Sequence, residues 1–286
     1  MEAIRITGEN AIDFSDCISK DICSFLDREF FRGIGAVDDY LNPVGAIVYE
    51  LIDYDSVRDI KSRIYSFKAT SDEVADFIMS EYQKDIEEES VVESFYELED
   101  EETDSYFQGC GFVSEREESD ELQISAADLK KIVAAGGEKR IPSYIQSMSS
   151  VSPMQYRDFL KKLLVHGQFG ILEDLAYLSM SWFETEVSFC SMADGKIDGI
   201  FLIHRLPSET LIPCLFTSFG IDSKKNLGFL MFSAIQKAAE LYTDDTKIII
   251  RRRNENVRSL TDKLFPGKKG SMVFLGKRAE GKGSKK

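Results

Sequence analysis

At 286 residues the chain can hold one large domain or two medium ones, and its 43% hydrophobic content is that of an ordinary globular protein. No uninterrupted apolar run reaches the roughly 20 residues of a membrane span, and the start MEAIRITGENAIDF lacks the basic-then-apolar pattern of a signal peptide. The net charge of −15 is divided unevenly: residues 1–141 carry −21 and residues 142–286 carry +6, so an acidic half that repels nucleic acid precedes a mildly basic one.

Taken in chain order, residues 14–30 have helical periodicity, and Phe31–Val37 and residues 44–51 read as a hairpin around a turn at 38–43. A strand over Ile60–Ala69 runs into a helix that starts at Ser71 and Asp72, with Val74, Phe77, Ile78 and Tyr82 on one face. A strand at 91–98, a short helix at 100–108 and closing strands near 110–115 and 121–129 complete the first half. The Gly- and Pro-bearing stretch 136–142 is the linker candidate. Helices are expected at 154–164 and 171–180, then strands at 186–192 and 197–206 around an Ala-Asp-Gly-Lys turn. A buried strand at 211–221, a polar turn at 222–226 and an amphipathic helix from Gly228 to Leu241 follow. A strand at 246–253, a helix at 254–265, a strand at 271–276 and a basic, disordered tail at 278–286 end the chain.

Two features carry chemistry. The turn at 222–226 opens into a helix N-terminus, where free N–H groups and the dipole favour phosphate, and Lys224, Lys225 and Gly228 suit that use. The five cysteines are scattered through apolar or small-residue contexts, and His166 and His204 lie far apart. Reduced thiols of a cytoplasmic protein without a metal site are expected.

The order hairpin, strand, turn, long helix, strand, short helix, strand occurs twice. With these residues it resembles the GNAT family of acyl-CoA N-acyltransferases in tandem arrangement. ADGKIDGIFLI resembles the family hairpin, and IDSKKNLGFL resembles the pyrophosphate loop, with Lys225 on the basic position, Gly228 on the first glycine and Leu230 on the second small position. NENVRSLTDKLFPG resembles the N-x-x-A-x-x-L-Y-x-K-x-G-F segment, where Asn254, Val257, Leu260, Lys263 and Leu264 match and Thr261 stands at the tyrosine. In the first half YLNPVGAIVYEL and SYFQGCGF resemble the hairpin and the Y-x-x-x-G-F ending, with Phe107 at the tyrosine position. The pyrophosphate loop is missing there, replaced by Ala-Thr-Ser-Asp-Glu, whose acids repel a pyrophosphate.

The resemblance implies an α+β fold of two GNAT-like units, each a mixed, mostly antiparallel twisted sheet flanked by helices. Residues 1–141 would form a degenerate unit, residues 142–277 an acyl-CoA-binding unit and residues 278–286 a tail. It implies acetyl-CoA or another acyl-CoA as co-substrate, direct attack by a small-molecule or protein amine, and no nucleic-acid, membrane or metal partner. The implied cofactor residues are Gly220, Ile221, Lys225, Asn226, Leu227, Gly228, Phe229, Leu230 and Asn254. The candidate catalytic residues are Glu186 and His204 as bases and Thr261 near the leaving thiolate, although the residues by themselves favour an exposed loop acid for the first and a core or strand-end histidine for the second. Arg251, Arg252 and Arg253 are further phosphate candidates, of which strand alternation lets at most two share a face. Leu230 in place of a small residue and the missing tyrosine keep a second reading open, a GNAT-fold module without catalysis. An aminoacyl-tRNA donor is a third, disfavoured by the acidity of the chain.

Overall fold

The computed structural model describes residues 1–28, 30–53, 59–136, 140–165, 178–252 and 254–280. The first half gives β1 (Glu2–Ile6), a 3-10 turn at Ala11–Phe14, α1 (Lys20–Cys23), β2 (Phe31–Val37), β3 (Pro43–Asp53), β4 (Ile60–Ala69), α2 (Asp72–Glu88), β5 (Glu93–Leu98), α3 (Glu101–Gly109) and β6 (Val113–Glu118). Then come β7 (Glu121–Ser125), α4 (Ala126–Gly136), β8 (Ile145–Ser147), α5 (Pro153–Val165), β9 (Phe189–Ala193), β10 (Lys196–Arg205) and β11 (Leu211–Ser218). The chain continues as α6 (Ser223–Leu241), β12 (Lys247–Arg251), α7 (Glu255–Leu264) and β13 (Met272–Ala279).

Two sheets result, with strand orders β1-β2-β3-β4-β5-β13-β6 and β7-β12-β11-β10-β9-β8. The pairs β4–β5 and β11–β12 are parallel and the others antiparallel, as the α+β reading expects. Each sheet is the centre of one compact unit: residues 1–119 with 272–286, and residues 120–271. The dividing line therefore differs from the expected one at 141–142, and the strand ladders explain why. Strand β7 makes five antiparallel pairs with β12, from Lys247↔Ser125 to Arg251↔Glu121, so it belongs to the second sheet. Strand β13, last in the chain, lies between β5 and β6 of the first. The residues expected to trail off as a tail from 278 begin as strand: Arg278 and Ala279 pair with Ser94 and Glu93, and residues 281–286 lie outside the described set. By these units the charges are −17 (15 Lys and Arg against 32 Asp and Glu) and +2 (20 against 18).

In the first unit Ser71 caps α2 by accepting from the Val74 N–H, and Ile78, Tyr82 and Ile86 at helical spacing bury that face against Ile47, Tyr49 and Ile64 of the sheet. In the second, Leu230, Ala234, Ile235 and Ala238 of α6 pack on Phe201, Ile203 and Leu211, with Leu129 of α4 in the same cluster. A second cluster holds Tyr156, Phe159, Leu160 and Leu163 of α5 with Ile200, Leu202 and Leu215 of the sheet. The helix expected over 14–30 is instead a 3-10 turn and the single-turn α1, which Ser19 starts by accepting from the Ile22 N–H and Ser24 ends by donating to the Asp21 carbonyl. The helix expected at 171–180 falls on residues outside the described set up to 177, and Met180–Trp182 is 3-10. Helix α4 was not expected. Its first four residues, Ala126 to Leu129, fall in the strand expected at 121–129, its last, Gly136, falls in the linker candidate, and residues 130–135 carry no expected element.

Candidate functional site

The second sheet begins its site with a tight hairpin. Asp194 and Gly195, both at positive φ (49° and 74°), turn β9 into β10 in the primed manner that matches strand twist. In β11 the register then slips by one: Leu202 faces Leu215 while Ile203 faces Pro213, which leaves Cys214 as a bulge residue. At the same place β11 parts from β12. Their parallel ladder consists of one pair, Leu211↔Ile248, and Pro213 has no N–H to extend it. From there to Ser218 the edge of β11 facing β12 has no register partner, so a wedge opens between the two strands.

The first sheet carries the same device. Val48 faces Ser66 and Tyr49 faces Ile64, so Tyr65 is the bulge residue, and the β4–β5 ladder stops at Ile64↔Tyr96. What lies beyond the bulge differs. Phe67, two residues on, stacks against Tyr106 (centroids 5.3 Å apart) and lies 5.0 Å from Phe107, which itself stacks on Tyr96 at 4.7 Å. These rings join β4 to α3 directly. In the second sheet Phe216, also two residues past the bulge, turns to Phe201 on β10 at 4.8 Å, and Thr261 stands on α7 where Phe107 stands on α3.

The passage from β11 into α6 holds most of the expected cofactor residues together. Gly220 is at φ +85°, a conformation that side-chain-bearing residues resist. Helix α6 starts at Ser223, five residues before the sequence reading placed it, so Lys224 to Leu227 form its first turn rather than a loop. Asp222 precedes it without a side-chain cap, no acid lies in the first turn, and Lys224 and Lys225 are exposed. Ile221 is fully exposed. A Cβ at Gly228 would meet nothing within 4 Å, and Gly228, Lys225, Phe229 and Phe232 line an apolar groove of about 320 Å³ with Gly136 and Leu264.

Two of the expected cofactor side chains are turned inward. Leu230 is wholly buried in the core, which removes it from any ligand surface but also leaves the groove open. Asn226 is 5% exposed, accepts from the Tyr144 hydroxyl (3.2 Å) and donates to Asp198 (3.5 Å), whose other carboxylate oxygen accepts from Ser191. Asp198 thereby ties the first turn of α6 to the hairpin. The signal for it was a lone acid inside the apolar run of β10. Burial, and then this carboxylate, push the adjoining Cys190 thiol up to about 11.

The three catalytic candidates sit on separate elements. Glu186 is exposed in the turn before β9. His204 is buried on β10, stacked on Trp182 at 3.5 Å, with Nδ1 2.6 Å from the Trp182 carbonyl, so that nitrogen carries the proton. Thr261 is buried, and its hydroxyl donates back to the Val257 and Arg258 carbonyls of its own helix. Asn254 caps α7 by accepting from the Val257 N–H (3.0 Å). Of the arginines, Arg251 pairs with Glu121 (2.9 Å) and Arg252 is buried beside Asp262 (3.7 Å), while Arg253 lies outside the described residues. Among the described residues no group of His, Cys, Asp and Glu could hold a metal ion, and no helix is long and apolar enough to cross a membrane.

No protein-family model and no curated protein matches this sequence. Solved structures do. A tandem GNAT protein from the clavulanic acid biosynthesis pathway matches over 98% of both chains with a TM-score of 0.61 at 9% identity. The chain has the tandem GNAT fold. A putative acetyltransferase from Pyrococcus horikoshii (98% of this chain, 90% of that one, TM-score 0.53, 12% identity) is similar as well. So is a probable N-acyltransferase from Enterococcus faecalis V583 (97% and 72%, TM-score 0.51, 12% identity). In this tandem GNAT fold β4–α2 and β11–α6 are corresponding strand-to-helix passages, and the two bulges and two wedges occupy corresponding places.

Proposed function

We propose that the second unit binds acetyl-CoA or another acyl-CoA and transfers the acyl group to an amine. One observation carries this reading: the β11–β12 wedge opens beside a helix start that has no side-chain cap, no acid in its first turn, two exposed lysines and an open glycine. The free N–H groups of Lys224 and its neighbours, with both ammonium groups, suit a pyrophosphate. The unpaired edge of β11 offers main-chain groups to an extended pantetheine arm, and free backbone N–H groups along that edge would hold the thioester oxygen as charge develops. The free amine attacks the thioester carbon, a base or water takes its proton, and the thiolate leaves. The exposed Glu186 is the base candidate that suits this best, because the His204 ring is packed and the Thr261 hydroxyl is bonded within α7.

In the same reading the first unit is a scaffold. Its corresponding helix start is capped by Ser71 and followed by Asp72 and Glu73, and aromatic rings join β4 to α3 beyond the bulge. The five free cysteines suit a reducing, cytoplasmic setting where acyl-CoA is made and used. A second reading, a GNAT-fold ligand module without catalysis, is favoured by the inward Thr261 hydroxyl and the packed His204. An acetyl-transfer assay against a panel of polyamine, aminoglycoside and peptide amines separates the two. Amine-dependent release of CoA that is lost in Gly228→Glu supports the enzyme, and saturable binding without turnover on any amine supports the module.

A further inference from the structure

Asp198 is the bulge residue of β10. Ile197 faces Met192 and Gly199 faces Ser191, so Asp198 has no partner on β9, and the ladder to β11 starts one residue later, at Gly199↔Ser218. A bulge re-aims a residue, and this one serves two ends of the same passage. The Asp198 carbonyl accepts from the N–H of Phe219 (2.7 Å), the residue just before Gly220. Its carboxylate accepts from the Asn226 amide (3.5 Å), in the first turn of α6, and from the Ser191 hydroxyl. The Asn226 amide is held from its other side as well, accepting from the Tyr144 hydroxyl (3.2 Å). Gly199 makes room for this packing: a Cβ there would lie 2.6 Å from the Ser191 and Ser218 hydroxyl oxygens alike.

Between these two holds, from Gly220 to Lys225, no side chain is buried, so packing does not fix the passage. Among the described residues no lysine or arginine pairs with Asp198, and its charge is met by hydrogen bonds alone. A neutral side chain would fill the same space at a smaller desolvation cost. We propose that Asp198 is a positioning residue for donor binding, which clips both ends of the Gly220–Lys225 passage and so presets the free N–H groups of the α6 start for a pyrophosphate. This inference rests on the acyl-CoA reading of the second unit. A loose passage must order itself on binding, and that ordering is subtracted from affinity, whereas a clipped one is ordered beforehand. Asp198 acts through Phe219 and Asn226, since its own charge would repel a phosphate at contact.

The test is calorimetric titration of the full-length protein with acetyl-CoA, run on the wild type and three variants. Asp198→Ala cuts the side-chain hold and should weaken binding about tenfold, the worth of one hydrogen bond to a charged group. Asn226→Asp sets two carboxylates against each other and should weaken binding by at least as much. Adding Asp198→Asn to Asn226→Asp restores a donor and an acceptor in exchanged places, and should bring affinity back to within about threefold of the wild type. That exchange keeps the side-chain shapes and the net charge, so it reads the clip even where Asp198→Ala folds poorly. Wild-type affinity in a folded Asp198→Ala overturns the proposal, whatever its melting temperature, because the hold then serves stability alone. An exchange variant that binds no better than Asn226→Asp overturns it too. A wild type that does not bind acetyl-CoA overturns the acyl-CoA reading, and this proposal falls with it.

Discussion

The two strand-to-helix passages of this chain start from one blueprint and end as opposites. Both β4 and β11 carry a one-residue bulge, at Tyr65 and Cys214, and both part from a parallel neighbour close to it. After β4 the chain spends every feature on closing itself. Ser71 satisfies the Val74 N–H, Asp72 and Glu73 complement the dipole from within, and Phe67, Tyr106 and Phe107 carry ring contact from strand to helix. After β11 the same positions are left unspent. The helix start has no side-chain cap and no acid in its first turn, Phe216 turns away to Phe201, and Thr261 takes the place of Phe107. The difference teaches that the wedge itself is a property of the fold, while a usable site depends on what the chain declines to put into it.

The comparison can be broken or sharpened by four substitutions, the largest effect first. Phe107→Ala removes a wholly buried ring from the aromatic stack of the first unit and should cost about 3–5 kcal/mol in denaturant unfolding. A loss below about 1 kcal/mol would mean those rings do not hold that wedge shut. Gly228→Glu places a carboxylate in the open groove beside the expected phosphates and should weaken acetyl-CoA binding at least about a hundredfold, near 2.7 kcal/mol, without lowering the melting temperature. Ser71→Ala removes the α2 cap and should cost about 0.5–2 kcal/mol of stability while leaving acetyl-CoA affinity alone. Thr261→Val keeps shape and removes a hydroxyl already bonded within α7, so kcat should stay within about twofold. A larger fall in kcat at unchanged KM would give Thr261 the acid role after all.

Much of this was legible in the residues, for reasons that can be named. The alternation of β2 and β3, the Asp-Gly turn at 194–195 and the Ser71 cap are local signals, so short stretches of sequence contain them. The start of α6 was misjudged by five residues because Lys224, Lys225 and Asn226 look like turn residues. Asn226 in fact buries its amide against Asp198 and Tyr144, contacts that no local pattern reveals. Leu230 looked like an obstruction at a family glycine and proved to face the core. The division at 119–120 and the return of β13 to the first sheet depend on pairing between residues more than 120 apart, beyond the reach of any periodicity.

The asymmetry between the two wedges is tested most directly by the stoichiometry of calorimetric titration with acetyl-CoA, run on the wild type and on Gly228→Glu. One saturable site per chain, lost in Gly228→Glu, is the expected result. Two sites per chain, a single site that survives Gly228→Glu, or no binding at millimolar ligand would contradict it.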